Sequence, residues 1–390
     1  MTVLELPPLS LYVHIPWCVK KCPYCDFNSH ADNGGLPEVE YVETLIKDLE
    51  FDAELAQGRE LVSIFFGGGT PSLFSAASIE AIIDAAQKII GIADGAEITL
   101  EANPGTFEQE KFTGYKHAGV NRLSIGIQSF NDQHLKALGR IHGRSEAIQA
   151  VETARQAGFD NINLDLMHGL PDQNPAQARA DIEQAIELEP EHISWYQLTI
   201  EPNTVFYSKP PTLPDEPRLE AIQDGGLATL QAASFEQYEV SAFAQASRQA
   251  VHNNNYWQFG DYLGIGAGAH GKITVAEMQG IIRSQKTRLP SDYLDRQDDF
   301  STNSHLANKY LANTRTLGNT ELPVEFFMNV LRLNQGVPKD YFEQRTGLDF
   351  EYISGLWANL EREGLVHAPT KALVTTLQGH QFLDSILARF

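Results

Sequence analysis

Cysteine is scarce in this chain of 390 residues, which contains only three, all between positions 18 and 25. An odd number of cysteines within one short segment argues against the disulfide framework of small secreted proteins. The sequence therefore indicates a reducing compartment.

Basic residues are also few relative to acidic ones. The 29 lysines and arginines are outnumbered by 51 aspartates and glutamates, so the formal net charge is -22. A field of this sign repels phosphate backbones and anionic lipid surfaces. We therefore expect no nucleic acid partner and no direct lipid anchor.

Long hydrophobic runs are absent as well. No window approaches the roughly 18 uninterrupted apolar residues of a membrane-spanning helix. The first ten residues lack the basic start and apolar stretch of a signal peptide. These absences predict a cytoplasmic protein, and the hydrophobic content of 42% suits buried cores.

Short apolar runs followed by turn signals recur in the first half of the chain and are typical of buried parallel strands. We predict such strands at 11–15, 61–66, 97–100, 122–127, 162–167 and 193–198. Helical patterns fill the gaps, at 42–56, 76–90, 107–118, 144–157 and 176–188. This alternation requires right-handed crossovers and fits either a doubly wound sheet or part of an α/β barrel.

Polar and glycine-rich residues near the ends of the predicted strands decide between these two folds. They comprise the three cysteines, the segment Gly67–Pro71, and Glu101, Gln128, Asp165 and Thr199. An α/β barrel builds its active face from the carboxyl ends of many strands in this way. We therefore predict an α/β fold with a partial (β/α)6 barrel.

The rest of the chain has weaker patterns. We predict a loop over 204–216, a helix over 217–233 and a strand-like run over 238–243. From residue 321, three helices, a short β-hairpin and a final helix predict a small winged-helix-like C-terminal domain. The predicted divisions are a barrel, an irregular connecting region and this last domain, at 1–240, 241–318 and 319–390.

Winged helices often bind DNA, but the charge of this one disfavours that function. From residue 321 onward, six basic residues stand against nine acidic ones, a balance of -3. A DNA-binding regulator with an iron–sulfur sensor is therefore the least favoured class of function.

The chemistry of the cysteine loop points to a cofactor. Cys18, Cys22 and Cys25 are close enough in sequence to hold one compact group, and thiolates select zinc, copper or iron–sulfur clusters. Structural zinc needs a closed set of four ligands, and the candidate fourth ligand His14 lies in a strand that should be packed. A 4Fe-4S cube on three thiolates leaves one iron open, and we favour it over zinc and over unligated cysteines.

The C-x3-C-x2-C loop after a first strand, with Tyr24 before the last cysteine, resembles the signature of the radical S-adenosylmethionine superfamily. The resemblance implies that the open iron is chelated by the amine and carboxylate of S-adenosylmethionine. Electron transfer from the cluster can then cleave the sulfonium and release a 5′-deoxyadenosyl radical.

The same resemblance suggests which residues bind the cofactor. Gly67–Pro71 is similar to the glycine-rich motif that receives the methionine amine, with Gly68, Gly69 and Thr70 as the candidate contacts. Arg140 would pair with the methionine carboxylate. Glu101, Gln128 and Asp165 would form hydrogen bonds with the amine, the ribose or nearby water. Tyr12 and Tyr24 would flank the cluster and the adenine.

A structural role is the alternative for each of these side chains, because barrels also contain hydrogen-bonded polar residues and core aromatics. For His142 and His168 we favour a helix-end or core role. The segment Gly266–Gly271 formally matches G-x-G-x-x-G. We predict neither a buried strand before it nor an amphipathic helix after it, and we interpret it as a tight backbone crossing.

Longer motifs resemble the oxygen-independent coproporphyrinogen oxidases and their relatives, and these motifs lie at 11–18, 66–71, 101–104, 124–129 and 163–171. Two features depart from the oxidase. Phe27 stands where the oxidase has a further cysteine, and only seventeen residues precede Cys18. Both departures resemble the HemW family of haem chaperones.

The segment His252–Trp257 resembles the H-N-x-x-Y-W motif to which haem binding is attributed in that family. The resemblance implies haem contacts from His252, Tyr256 and Trp257, with His252 as the candidate axial ligand. Chemistry alone leaves a structural role open, because a histidine beside aromatic residues is often part of a core.

The function that we predict is that of a haem chaperone carrying a 4Fe-4S cluster and S-adenosylmethionine. It would bind haem and deliver it to acceptor haem proteins, which family resemblance suggests are respiratory enzymes. The alternative is a true oxygen-independent coproporphyrinogen III oxidase, which decarboxylates two propionates by radical hydrogen abstraction.

Overall fold

The computed structural model describes residues 4–32, 34–105, 109–295 and 308–390. Within these ranges the chain forms sixteen β-strands. They are β1 Leu9–Ile15, β2 Trp17–Cys18, β3 His30–Ala31, β4 Leu61–Gly68, β5 Ile92–Ala102, β6 Arg122–Gln128, β7 Ile162–His168, β8 His192–Gln197, β9 Glu236–Glu239, β10 Ala242–Ala244, β11 Asp261–Ile265, β12 His270–Val275, β13 Gly280–Lys286, β14 Leu311–Thr316, β15 Val337–Pro338 and β16 Ala372–Leu373.

The same ranges contain fifteen α-helices and two short 3-10 helices, Ala53–Ala56 and Pro71–Leu73. The α-helices are α1 Glu38–Asp52, α2 Ala76–Ile89, α3 Gln109–His117, α4 Asp132–Ala137, α5 Arg144–Gln156, α6 Pro175–Glu187, α7 Val205–Ser208, α8 Glu216–Ala232, α9 Val251–Trp257, α10 Pro290–Leu294, α11 Leu322–Val330, α12 Tyr341–Thr346, α13 Glu351–Arg362, α14 Leu377–Gln381 and α15 Leu383–Leu387. None of the helices described is long and apolar enough to cross a membrane.

Twelve strands form one sheet, in the order β14-β13-β12-β11-β1-β4-β5-β6-β7-β8-β10-β9. The six predicted strands are confirmed as β1 and β4 to β8, each parallel to the next one. The predicted helices between them are confirmed too, although residues 107 and 108 lie outside the described ranges. Because β14 and β9 lie at opposite edges of the described sheet and do not pair with each other, the barrel is open, as predicted.

Local sequence explains how these elements form. Every residue of β6 is buried, as expected for a parallel strand covered on both faces. The hydroxyl of Ser75 accepts from the amide of Ser78 at the start of α2, and Asn174 caps α6 with Pro175 in its first turn. One large core joins the strands and helices of the barrel.

The connecting region was predicted as irregular, and this expectation is wrong. Strands β11 to β14 lie there, and β11 pairs in parallel with β1 as a seventh barrel strand. Apolar periodicity misses these strands because some of their inward side chains are charged. Asp261 and Lys272 form a buried ion pair at 2.9 Å, and Lys286 contacts Asp48 at 2.5 Å.

Three smaller predictions also change. The strand-like run at 238–243 is the antiparallel pair β9 and β10, and α7 forms within the predicted loop 204–216. A buried strand, β11, does precede Gly266, while the element after it is the strand β12 and not a helix. The segment therefore still lacks the strand–turn–helix context of a dinucleotide site.

The three predicted helices of the C-terminal segment are present as α11 to α13, but β15 lies between α11 and α12 and pairs with β16 after α13. Where the hairpin was predicted, the structure has only an isolated antiparallel bridge between Val366 and Thr375, and two short helices follow where one was expected. The core of this segment includes Phe326, Phe327 and Trp357, together with Phe259 and Ile281 from the sheet region. The domain limits given above stay predictions.

Candidate functional site

The three cysteines lie on a loop whose base is fixed by short-range pairing. Strands β2 and β3 pair in parallel, and the amide of Asp32 donates to the carbonyl of Cys18 at 2.8 Å. Within the loop, the amide of Cys25 donates to the carbonyl of Cys22 at 3.2 Å. All three cysteines line one cavity of about 480 Å³, here called the first cavity.

The glycine-rich end of β4 packs directly against this loop. The amide of Thr70 donates to the carbonyl of Trp17 at 2.7 Å. A Cβ atom on Gly69 would lie 2.4 Å from that carbonyl oxygen, and one on Gly68, with φ of 114°, would lie 2.5 Å from the ring of His14. Only residues without a side chain permit this close approach. The packing therefore requires glycine at these two positions, in addition to their predicted binding role.

Arg140 lines the first cavity as a half-buried cation with neutral partners. Its Nη2 donates to the carbonyl of Gly126 at 2.6 Å and to Oδ1 of Asn103 at 2.5 Å, while Nη1 lies 3.7 Å from Sγ of Cys22. Burial opposes its charge, but Tyr24 and Cys22 raise the pKa of Arg140 above its ordinary value. No carboxylate in the described part of the chain pairs with it, so its charge remains free for an anionic ligand.

Two half-buried carboxyl groups line the first cavity. Burial, followed by the charge of Asp165, raises the pKa of Glu101 to about 8, although the amide of Gly68 donates to it at 3.2 Å. Burial also raises the pKa of Asp165, against hydrogen bonds from Asn163 and Ser124. Removal from water disfavours their ionised forms, and a cationic ligand would relieve that cost.

Gln128 ends β6 with a φ of 71°, a left-handed conformation that is uncommon outside glycine and often occurs at functional sites. The hydroxyl of Tyr196 donates to its Oε1 at 2.7 Å. Asn103 donates to the Thr70 hydroxyl at 3.0 Å. Tyr196 and Asn103 were not predicted as site residues; their signal was their position at the ends of the sixth and third predicted strands.

The first cavity brings most of the predicted residues together, namely Cys18, Cys22, Tyr24, Cys25, Gly68, Gly69, Thr70, Glu101, Gln128, Arg140 and Asp165. Tyr12 lies elsewhere, on a second cavity of about 530 Å³. The two cavities adjoin, because Asp26, Phe27, Gly68 and Glu101 line both of them.

The three motif residues on α9 face different surroundings. His252 is 1% exposed and lines neither cavity; its Nδ1 lies 2.9 Å from Oγ of Ser63, and its Nε2 lies 2.8 Å from the hydroxyl of Tyr256. Burial lowers the pKa of His252 to about 3. Tyr256 lines the second cavity, whereas Trp257 packs against the C-terminal core with the Arg332 guanidinium 4.4 Å from its ring centroid.

His142 and His168 are both buried, which agrees with a structural role. Nε2 of His142 lies 3.2 Å from the carbonyl of Ile127, and the ring of His168 lies 4.2 Å from that of Trp195. Burial lowers the pKa of each to about 4. Neither lines the first or the second cavity.

Two family models match the chain. Residues 12–188 match the Radical SAM superfamily, and residues 317–382 match the HemN C-terminal domain. In solved structures, the fold is similar to coproporphyrinogen III oxidase (HemN) from Escherichia coli, with a TM-score of 0.81 at 24% identity, covering 98% of this chain and 90% of that one. At this identity the likeness establishes the fold alone.

Curated relatives are similar over the whole length. The Heme chaperone HemW of Escherichia coli is 48% identical over 388 residues, covering 100% of this chain and 99% of that protein. The Heme chaperone HemW of Haemophilus influenzae is also 48% identical, over 99% of this chain and 98% of that protein. This chain therefore belongs to the HemW family of haem chaperones, within the radical SAM superfamily.

Proposed function

We propose that this protein binds haem and delivers it to acceptor haem proteins, on a scaffold that holds a 4Fe-4S cluster and S-adenosylmethionine. The observation that carries the proposal is the pair of adjoining cavities at the carboxyl ends of the barrel strands. One cavity is lined by three cysteines and the other by aromatic side chains. Relatives that bear the name heme chaperone support a carrier function.

The donor set of the first cavity fits the cluster. Cys18, Cys22 and Cys25 line the same cavity, and three soft thiolates of this kind would hold a 4Fe-4S cluster with one iron left open. When bound and reduced, the cluster supplies the electron that can cleave a sulfonium.

The remaining walls of the first cavity fit S-adenosylmethionine. Arg140 offers a guanidinium without a carboxylate partner among the described residues, which suits the methionine carboxylate. The half-buried carboxyls of Glu101 and Asp165, whose pKa values are raised, suit the amine or the ribose hydroxyls. Gly68, Gly69 and Thr70 would let the ligand approach the backbone closely.

The cellular setting follows from the same features. A net charge of -22 disfavours nucleic acid and anionic lipid as partners. The use of all three cysteines as cluster ligands requires that they stay reduced, so we place the protein in the cytoplasm. Its partners would be haem itself and acceptor haem proteins, of which respiratory enzymes are the suggested class.

The experiment that tests this function begins with anaerobic purification. We expect about four irons per chain, as a cube on three thiolates requires, and loss of that iron in Cys22→Ala. We expect the protein to take up about one haem per chain and to pass it to an apoprotein acceptor. Stoichiometric zinc with negligible iron would contradict the cluster.

The same preparation distinguishes the carrier from the oxidase. Incubation with reductant, S-adenosylmethionine and coproporphyrinogen should leave the porphyrinogen unchanged. Conversion to the divinyl product without haem uptake would overturn the carrier function and establish the oxidase. The exposed Phe27, which stands in place of the oxidase's further cysteine, agrees with the carrier.

A further inference from the structure

We propose that His270, and not the motif residue His252, is the axial ligand of haem, and that haem occupies the second cavity with a propionate against Arg288. The inference rests on the proposed haem-binding function and specifies its site. It also gives a role to the segment Gly266–Gly271, which carries His270 and has no nucleotide-binding context.

His252 is already engaged at both ring nitrogens. Its two ring nitrogens lie 2.9 Å and 2.8 Å from hydroxyls of Ser63 and Tyr256, and its ring stacks on Phe65 at a centroid distance of 4.9 Å. To reach an iron it would have to break a buried hydrogen bond and leave a core in which it is 1% exposed. His252 instead holds the hydroxyl of Tyr256 in position, and Tyr256 lines the second cavity.

His270, by contrast, is free to bind an iron. It begins β12, is exposed, and lines the second cavity. Its ring makes no hydrogen bond to any residue that the structure describes. The other histidine on this cavity, His14, is engaged at both nitrogens, with the hydroxyl of Tyr12 at 3.0 Å and the carbonyl of Asn28 at 2.8 Å. Imidazole is a common axial ligand of haem iron, and it requires an accessible nitrogen.

The backbone holds His270 in place at the cavity. A Cβ atom on Gly266 would lie 2.4 Å from the carbonyl oxygen of His14, and one on Gly268 would lie 2.3 Å from Nδ2 of Asn28. Both glycines have positive φ, so this turn needs glycine at each position. The predicted tight backbone crossing is therefore confirmed, and it fixes the start of β12 beside the cysteine loop.

Arg288 provides a cation that could bind a haem propionate. Arg288 lines the same cavity, and its Nε donates to Oδ1 of Asn28 at 3.3 Å. No carboxylate in the described ranges pairs with Arg288. The nearby Arg283, by contrast, is neutralised by Glu325 at 2.6 Å. In a chain with a net charge of -22, an unpaired guanidinium at a cavity wall suits a carboxylate ligand.

The cavity itself suits a large aromatic ligand. Tyr256 and Tyr262 pack edge to face at a centroid distance of 4.3 Å, and both line it. Phe27 lines the opening with 57% of its surface exposed. The volume of about 530 Å³ lies within the usual range for ligand sites, roughly 300–1,000 Å³.

A haemin titration of the full chain, followed by its Soret spectrum, tests the ligand. His270→Ala should weaken binding at least about tenfold and shift the Soret band, because it removes an axial ligand. Free imidazole should restore the spectrum, and His270→Tyr should bind haem with the spectrum of a phenolate ligand. His252→Gln should keep the wild-type spectrum, as should His117→Ala, which removes an exposed histidine on α3 that lines neither cavity.

A second pair of measurements tests the propionate contact. Arg288→Gln should weaken haem binding about tenfold, in the range of a lost charge-assisted hydrogen bond, and should not affect binding of the haem dimethyl ester. Iron content and thermal unfolding of each variant show whether it folds. Equal losses for haem and its ester would overturn the contact with Arg288.

The outcomes separate this inference from the proposed function. If the wild type binds haem and His270→Ala binds it with the same affinity and spectrum, His270 is not the ligand and the carrier function stands. A loss of haem in His252→Gln with retained iron would instead restore His252 as the ligand. If the wild-type protein binds no haem at all, both the inference and the carrier function fail.

Discussion

We propose that recognition of S-adenosylmethionine depends most directly on Arg140. Its guanidinium is half-buried, and its hydrogen bonds go to the neutral oxygens of Gly126 and Asn103. A guanidinium held in this way is oriented before any ligand arrives, which reduces the entropy lost on binding. Its contact with Sγ of Cys22 also places it where the cluster and S-adenosylmethionine would meet.

Replacement of Arg140 by Ala should lower the affinity for S-adenosylmethionine roughly tenfold to a hundredfold, because a charge-assisted contact with the carboxylate is lost. Iron content should stay near that of the wild type, because no cluster ligand is removed. Equilibrium binding and iron analysis measure the two effects. Arg144→Ala, which removes an exposed arginine at the start of α5, is the control, and unchanged affinity in Arg140→Ala would remove that residue from the site.

Glu101 gives the stability of the protein without its cofactors a distinctive pH dependence. Its folded-state pKa is about 8, raised first by burial and then by Asp165, against an ordinary value of 4.5. At pH values between these two pKa values, the Glu101 carboxyl is ionised in the unfolded chain but keeps its proton in the folded chain. Stability at this site is therefore greatest at low pH and falls as the pH rises from about 4.5 to about 8.

Glu101→Gln should remove that dependence, since glutamine cannot ionise. The melting temperature of the variant relative to that of the wild type should therefore be higher at pH 8 than at pH 5. Thermal unfolding at the two pH values measures it, with Glu80→Gln on the exposed face of α2 as the control. A difference that does not change with pH would contradict the raised pKa of Glu101.

At the scale of elements, the end of β4 determines how closely the cysteine loop approaches the barrel. The amides of Gly69 and Thr70 donate to the carbonyls of Ile15 and Trp17 at 2.8 Å and 2.7 Å. These bonds continue the pairing of β1 and β4 beyond the strands and hold the residue before Cys18. A change in backbone spacing here would move a cysteine as well as weaken the sheet.

Gly69→Ala should lower the free energy of unfolding by about 1–3 kcal/mol, the usual cost of an added group in a packed site. The added Cβ atom would lie 2.4 Å from the carbonyl oxygen of Trp17, so the loop must shift, and iron retention should fall as well. Urea unfolding and iron analysis measure these effects. Gly225→Ala in α8 is the matched control: it meets nothing within 4 Å and should stabilise that helix by roughly 0.5–1 kcal/mol. A neutral Gly69→Ala would contradict the close packing.

At the scale of the whole molecule, the C-terminal helices share a core with the barrel side of the chain. Phe326 is fully buried, and its ring lies 5.4 Å from that of Phe259, which precedes β11. Ion pairs join the same surfaces, Arg332 with Glu239 at 2.8 Å and Arg283 with Glu325 at 2.6 Å. We therefore expect the C-terminal segment and the sheet to unfold together.

Phe326→Ala should lower the free energy of unfolding by about 3–5 kcal/mol, since it leaves a cavity in this shared core. One cooperative transition should move to lower urea concentration. Met328→Ala on the same helix is the control, because Met328 is 46% exposed and should change stability by less than about 0.5 kcal/mol. Two transitions of which only one moves would show that the C-terminal segment unfolds independently.

The sequence by itself determined the features that depend on local pattern and residue type. Short runs rich in apolar residues, such as β6, and apolar residues at helical spacing, such as those of α2, identify buried strands and helices, because burial imposes the period. The spacing of Cys18, Cys22 and Cys25 restricts the chemistry to soft metal ligation. The family also followed from these motifs, and full-length relatives confirm it.

Tertiary structure alone decided which distant residues share a cavity and which polar groups are already bonded. Strands β11 to β14 escaped prediction because Asp261, Lys272 and Lys286 are buried there as ion pairs, which no apolar period reveals. The engagement of His252 and the accessibility of His270 depend on side chains that lie far apart in sequence, such as Ser63 beside His252. Hydrogen bonds between such residues form only when the strands assemble into the sheet, so residue type can identify a candidate ligand but not whether its nitrogen is free.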